Sequence, residues 1–227
     1  MSSDSSSSAV HVVAGAVIDA AERVLIAQRP PGKHLAGGWE FPGGKLRSGE
    51  DRRAALAREL REEIGIEIST PRPLLRLRHT YPFGEVLLDV WVVRRYLGEP
   101  QALDGQALRW CTQTQLESTE LLPADKPIVT ALRLPERLTM ASTSQYVVAE
   151  SSDPTADGRL RGAFCTNLRE AQTQVAAGAD FLVLRGAASG NEIAALCDAV
   201  FVPVYVRSPG LEDAWALGAS GIGEIGD

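Results

Sequence analysis

Apolar positions change period along this chain, and the changes mark its elements. Residues 11–18 (HVVAGAVI) and 24–27 (VLIA) are short apolar, β-branched runs. They predict two strands joined by a turn at residues 19–23. Residues 29–39 are rich in Pro and Gly and predict a loop. From residue 51 to 64 the period becomes helical: Leu56, Leu60 and Ile64 recur at i+4 and define one buried stripe. Gly65 then supplies a natural helix stop. Residues 74–78, 85–94 and 108–111 predict further strands. Residues 124–134 predict a helix, with Pro127 tolerated in its first turn.

Beyond residue 135 the texture changes. Residues 136–144 resemble a linker, and after them aromatics thin out while alanine becomes common. Residues 168–177, 191–199 and 211–217 predict helices. Residues 181–184, 202–206 and 221–225 predict strands. Strand and helix alternating at about 20 residues per unit predict βα repeats around a parallel sheet. The fold class is therefore α/β, in two parts: a domain over residues 10–136 and a smaller βα-repeat domain over 146–227. A linker over 137–145 joins them, and a serine-rich leader over 1–9 is expected to be disordered.

A length of 227 residues accommodates both domains. The net charge of −6 argues against direct nucleic-acid binding but not against a nucleotide enzyme, because a bound divalent metal reverses the local sign. No apolar run approaches the roughly 20 residues of a membrane span, and no secretory signal is legible, so a cytoplasmic location is expected. The three cysteines, Cys111, Cys165 and Cys197, are far apart and odd in number. That suits a reducing compartment better than a disulfide framework.

Candidate chemistry lies on the residue 51–64 helix. At about 100° per residue, Glu59, Glu62 and Glu63 cover an arc of roughly 100° beside the buried stripe. Three neighbouring carboxylates repel one another, and a hard divalent cation such as Mg²⁺, or Mn²⁺ in its place, relieves the repulsion. A solvated acidic face is the alternative for such a cluster taken alone.

Spacing decides between them. Gly44, five residues, Glu50, seven residues, Arg58-Glu59-Leu60, one residue, Glu62-Glu63, one residue, and Gly65-Ile66 match every fixed position of the Nudix box. Residues 10–135 thus resemble the Nudix hydrolases, which implies an α/β/α sandwich with a mixed sheet. The resemblance implies that water attacks phosphorus in a diphosphate linkage, with Glu59, Glu62 and Glu63 as metal ligands and Glu59 as a candidate base. Arg58 is implied to orient a neighbouring carboxylate, Glu50 being the nearest candidate. The peptide of Gly43 or Gly44 is a candidate to complete the metal shell, since glycine lets backbone approach closely.

The flanks resemble the MutT branch: Arg29, His34, the run Glu40-Phe41-Pro42-Gly43-Gly44-Lys45, Gly98-Glu99-Pro100, Asp104-Gly105-Gln106, Trp110 and residues 122–127. That implies hydrolysis of oxidised nucleotides such as 8-oxo-dGTP to the monophosphate and pyrophosphate. By this resemblance Arg29 and Lys45 meet phosphate or sugar, Phe41 lines the base pocket, and Asp104 is an extra metal ligand. Asp125 departs from the branch, which has asparagine there to read the base. An ionised aspartate only accepts hydrogen bonds, whereas a protonated one also donates. The alternatives are another Nudix substrate (a cytidine nucleotide, ADP-ribose or a dinucleoside polyphosphate) and a non-enzymatic nucleotide sensor. Residues from about 146 resemble a reduced thiamine-phosphate synthase-like barrel, carried by Gly178-Ala179-Asp180-Phe181, Pro203-Val204-Tyr205-Val206 and residues 217–222. Its expected role is non-catalytic, in homodimerisation or partner binding.

Overall fold

The computed structural model describes residues 9–139, 143, 145–149, 158–207 and 210–224. The serine-rich residues 2–8 and Ile225 at the end of the last expected strand lie outside them. The chain forms two compact units: residues 1–71 with 77–126, and residues 72–76 with 127–227.

The first unit is built on strands β1 (Val10–Val17), β2 (Val24–Gln28), β3 (Trp39–Glu40) and β4 (Gly43–Lys45), followed by helix α1 (Arg52–Ile64). Strands β5 (Glu67–Ser69), β6 (Arg72–Tyr81), β7 (Gly84–Val93), β8 (Arg95–Leu97) and β9 (Leu108–Cys111) follow, then the short helix α2 (Gln113–Glu117). A mixed sheet has the order β4-β1-β7-β6, with β1 parallel to β7 and antiparallel to β4. A second sheet, β3-β2-β9, is antiparallel, and β5 pairs with β8.

Helix α1 forms where the sequence places its stripe. Asp51 caps it by accepting from Arg53 N and Ala54 N, and Gly65 ends it in the left-handed region at φ 72°. Ala55, Leu56, Leu60 and Ile64 are fully buried against Val13, Val17, Leu25, Trp91 and Val93. Each large side chain so buried contributes about 1.5–3 kcal/mol. This packing fixes the rotation of α1, and so the direction of its carboxylates.

A 3-10 turn (Pro123–Asp125) and α3 (Lys126–Ala131) replace the single helix expected over 124–134. Strand β10 (Arg137–Thr139) occupies part of the segment read as a linker; its strand state comes from parallel pairing with the last strand. The second unit continues with β11 (Tyr146–Ala149), β12 (Leu160–Cys165), α4 (Leu168–Ala176), β13 (Phe181–Leu184), α5 (Gly190–Ala199), β14 (Val204–Val206), α6 (Leu211–Ala216) and β15 (Gly221–Glu224). Its sheet, β10-β15-β14-β13-β12-β11, is parallel at every pairing, a curled half-barrel. Side chains alternate between faces: Leu182 and Leu184 join the helix-side core, whereas Phe181, Val183 and Tyr205 join an aromatic core with Tyr146. Residues 72–76 belong to this unit. Buried Arg72 donates Nε to Glu136 at 3.0 Å and Nη1 to the Ser220 carbonyl at 3.2 Å. Ser220 Oγ donates to Leu74 O at 2.6 Å and accepts from Val204 N at 3.0 Å.

Candidate functional site

The site starts from two glycines on β4. Opposite β1, Gly43 faces Ala14 and Gly44 faces Val13. A Cβ on Gly43 would lie 2.1 Å from the Val13 carbonyl oxygen; one on Gly44 would lie 2.3–2.7 Å from the carboxylate atoms of Glu59. Only bare backbone lets β4 fit between β1 and α1. Two carboxylates then meet successive residues of the strand. Glu59 lies against Gly44, and Glu63 Oε2 accepts from Gly43 N at 2.8 Å.

Arg58 organises the neighbouring charges. Its Nε and Nη2 each donate to Glu50 at 2.8 Å, a bidentate pair, while Nη1 donates to Glu59 Oε1 at 2.7 Å and to Glu62 Oε2 at 3.3 Å. Nη2 also reaches the Lys45 carbonyl at 3.2 Å. The Glu50 pairing expected from the sequence is thus present. Hydrogen bonding from Arg58 holds the Glu50 carboxyl down at about 2. Glu63 goes the other way, to about 7: burial opposes its charge, Glu40 and Asp104 add to the penalty, and the Gly43 N–H opposes it.

The other expected residues are spread around this centre. Glu62 is half exposed and 3.7 Å from Arg47, and Asp104 is exposed. Asp104 is nonetheless tied to α1, because its N–H donates to Gln106 Oε1 at 2.9 Å and Gln106 Nε2 donates to the Glu63 carbonyl at 3.0 Å. Among the described residues no three His, Cys, Asp or Glu side chains already converge as a metal cage. Of the expected set, Glu59 and Glu63 lie against Gly44 and Gly43, while Glu62 and Asp104 are exposed and are not brought into one cluster with them. The donor chemistry fits a hard divalent cation: every side-chain donor is a carboxylate, and Glu63 is a half-buried acid whose charge a cation would restore. Lys45 is exposed on β4.

A second group of residues lies at the Pro123–Asp125 turn. Asp125 is buried, 5% exposed. Burial first, and then Glu40, push its carboxyl well above the usual range; Arg29 and the Phe41 N–H oppose them. The Phe41 ring is itself buried. Arg29 is engaged, with Nη1 on Glu40 at 2.5 Å and Nε on the His34 carbonyl at 2.9 Å. Glu40 also acts electrostatically on Glu63, raising both carboxyls. Sequence reasoning gave Glu40 no role of its own; its place in the MutT-like run beginning Glu40-Phe41 was the signal available. Tyr81, whose hydroxyl accepts from Ala124 N at 3.3 Å, carried no signal at all.

The NUDIX domain family matches residues 13–131, more than half of the chain. The chain belongs to the Nudix family. A Mycobacterium tuberculosis protein, provisionally named 8-oxo-dGTP diphosphatase 2, is 43% identical over 51% of this chain and 82% of its own length. The CTP pyrophosphohydrolase of Escherichia coli is 39% identical over 52% of this chain and 88% of its own. The crystal structure of a MutT NUDIX hydrolase from Burkholderia pseudomallei shares the fold, with a TM-score of 0.50 at 24% identity over 54% of this chain and 97% of that one. The Nudix match covers the expected metal and base residues and stops before β10. No helix among the described residues is long and apolar enough to cross a membrane.

Proposed function

We propose that this Nudix chain is a Mg²⁺-dependent nucleoside triphosphate pyrophosphohydrolase that acts on oxidised nucleotides such as 8-oxo-dGTP, releasing the monophosphate and pyrophosphate. One observation carries the reading: Glu59, held by Arg58, and Glu63 lie against the bare Gly43–Gly44 backbone, in the same unit as the buried carboxyl of Asp125. Glu59, Glu62, Glu63, Asp104 and the Gly43 or Gly44 peptide would hold the cation. When bound, Mg²⁺ or Mn²⁺ supplies charge neutralisation for phosphate and a more acidic water. Arg58 holds Glu59 Oε1 in place, and Glu59 is the candidate to take the proton of the attacking water. Arg29 and Lys45 are assigned to the phosphates or the sugar.

Asp125 is assigned to the base. A protonated carboxyl presents a donor beside an acceptor, the same pair that a carboxamide offers. That suits the O6 and N7–H edge of 8-oxoguanine, so the departure from asparagine keeps the sanitation reading. The same pair also suits cytosine N3 and its amino group. A cytidine nucleotide is therefore the second reading, supported by the likeness to the E. coli CTP pyrophosphohydrolase.

The test is a Mg²⁺-supplemented panel of 8-oxo-dGTP, dGTP, CTP, ADP-ribose and a dinucleoside polyphosphate, with products identified. Faster cleavage of 8-oxo-dGTP than of dGTP, with pyrophosphate released, is expected. Equal rates would end the sanitation reading, and CTP outrunning both would establish the second. Among the described residues Cys111, Cys165 and Cys197 form no disulfide, and a cytoplasmic location is the proposed one. For the half-barrel, which resembles a reduced thiamine-phosphate synthase-like barrel, the proposed role is non-catalytic: homodimerisation or partner binding.

A further inference from the structure

The loop between β2 and β3 is fastened on two sides. On its inner side Arg29 exchanges backbone hydrogen bonds with Gly37 and Gly38 at 2.9 Å and donates Nε to the His34 carbonyl. On its outer side the His34 imidazole lies face to face on Phe83, with centroids 4.6 Å apart and planes 14° from parallel. Phe83 belongs to the turn between β6 and β7 and stacks in turn on Tyr81, at 4.9 Å and 7°. The column so formed reaches the Asp125 region, because Tyr81 accepts from Ala124 N and feels the charges of Asp125, Arg29 and Glu40. All of these residues belong to the first unit.

Phe83 is 49% exposed, so burial in the core does not account for a phenyl ring there. What it has is a partner on each face, one of them on a loop rich in Pro and Gly. The loop includes Leu35 at φ 60° and Gly37 at φ 83°; Gln28 Nε2 donates to the Gly37 carbonyl at 2.9 Å near its end, and Arg29 and His34 supply further side-chain fastenings.

We propose that the His34–Phe83 stack is a latch holding the residue 29–38 loop, and with it the Arg29 guanidinium, in place beside Glu40 at the nucleotide-binding side of the site. His34 and Phe83 are positioning residues that act through Arg29; the substrate part of this inference rests on the reading of Asp125 given above. Releasing the latch frees the His34 carbonyl that orients Arg29 Nε, and leaves the Arg58-centred carboxylates untouched. Nucleotide affinity therefore depends on the latch, and the chemical step does not.

Two measurements on Phe83→Ala test this. The KM for the preferred nucleotide should rise by about two- to tenfold, the size of one stacked aromatic contact, with a smaller change in kcat. Lys33 is exposed and carries the one tryptic site inside the loop, so cleavage of the Lys33–His34 bond should quicken by a similar factor without a fall in Tm. Phe83→Tyr, which keeps the ring, should restore both values. Unchanged Lys33 cleavage in Phe83→Ala overturns the latch, as does a loss confined to kcat. If the wild-type protein cleaves no nucleotide, the functional reading fails, and the tryptic rate still decides the latch.

Discussion

Gly43 and Gly44 are adjacent glycines needed for different reasons, and alanine at each separates the reasons. At Gly44 an added methyl lands 2.3 Å from Glu59 Oε2, against an ordinary contact of 3.4–4 Å. The carboxylate must retreat by about 1 Å, and a misplacement of that size costs roughly 100-fold in rate. Glu59 cannot retreat without straining its 2.7 Å bond from Arg58 Nη1. The backbone of Gly44 is not in the left-handed region, and the atoms met are the end of a flexible side chain. Stability should therefore change little. At Gly43 the methyl meets the backbone of Val13 and Ala14, at 2.1 and 2.8 Å, with φ at 157°. That strain, about 1–3 kcal/mol, falls on the β1–β4 pairing. Expected outcomes are a roughly 100-fold fall in kcat with near-native Tm for Gly44→Ala, and a Tm lower by about 2–4 °C per kcal/mol for Gly43→Ala. Mg²⁺-dependent pyrophosphate release and thermal melting measure the two. A Gly44→Ala enzyme within threefold of wild-type kcat, or one melting as early as Gly43→Ala, would refute the assignment of Glu59 to the reacting centre.

Other outcomes follow from the same geometry. Glu63→Gln should abolish turnover and remove the stabilisation by Mg²⁺, which for the wild type is about 2.7 kcal/mol at one hundred times Kd; melting with and without Mg²⁺ reads both, and equal Mg²⁺ shifts would exclude Glu63 as a ligand. Asp125→Asn tests a linkage. A carboxyl raised above 3.8 in the folded state contributes stability that is complete below 3.8 and is lost as pH rises through its folded value. The Asn variant should therefore gain on the wild type as pH rises through that window, as denaturant midpoints across pH will show; parallel curves would contradict the buried acid. In the second unit, Gly162→Ala places a methyl 2.3 Å from the Phe181 ring. Overpacking of this kind costs about 1–3 kcal/mol, and a melt indistinguishable from wild type would show that the aromatic core yields.

Helix α1 was legible because two signals agreed, the Leu56/Leu60/Ile64 stripe and Gly65 at its end; Asp51, expected as the first helical residue, is its cap. Strand β13 was legible to the residue because a four-residue apolar run between turn signals has few other states. Strands β3 and β4 were not. Trp39–Glu40 and Gly43–Lys45 have little strand propensity, and they are strands because β2 and β1 offer partners. β10 was hidden in a linker-like stretch for the same reason. Within the site, spacing pointed to Arg58, Glu59 and Glu63 as candidates, and to the Arg58–Glu50 pairing that the hydrogen bonds show. It could not show that Asp125 is buried, because turn residues in sequence look exposed. Nor could it show the His34–Phe83–Tyr81 column, which exists only once a loop and a hairpin meet.

The five residues 72–76 bear on how this gene can be cut. Cutting at the linker would deliver a half-barrel complete in its strands from β10 onward, yet lacking a segment that its own interior uses. The Ser220 hydroxyl would lose its acceptor at Leu74, and the Ser220 carbonyl would lose Arg72. Each orphaned buried group costs about 1–3 kcal/mol, a large share of what a domain of this size has to spare. The half-barrel is thus not a cassette that recombination could move by itself: the segment completing it is encoded within the Nudix half, next to the site it does not serve.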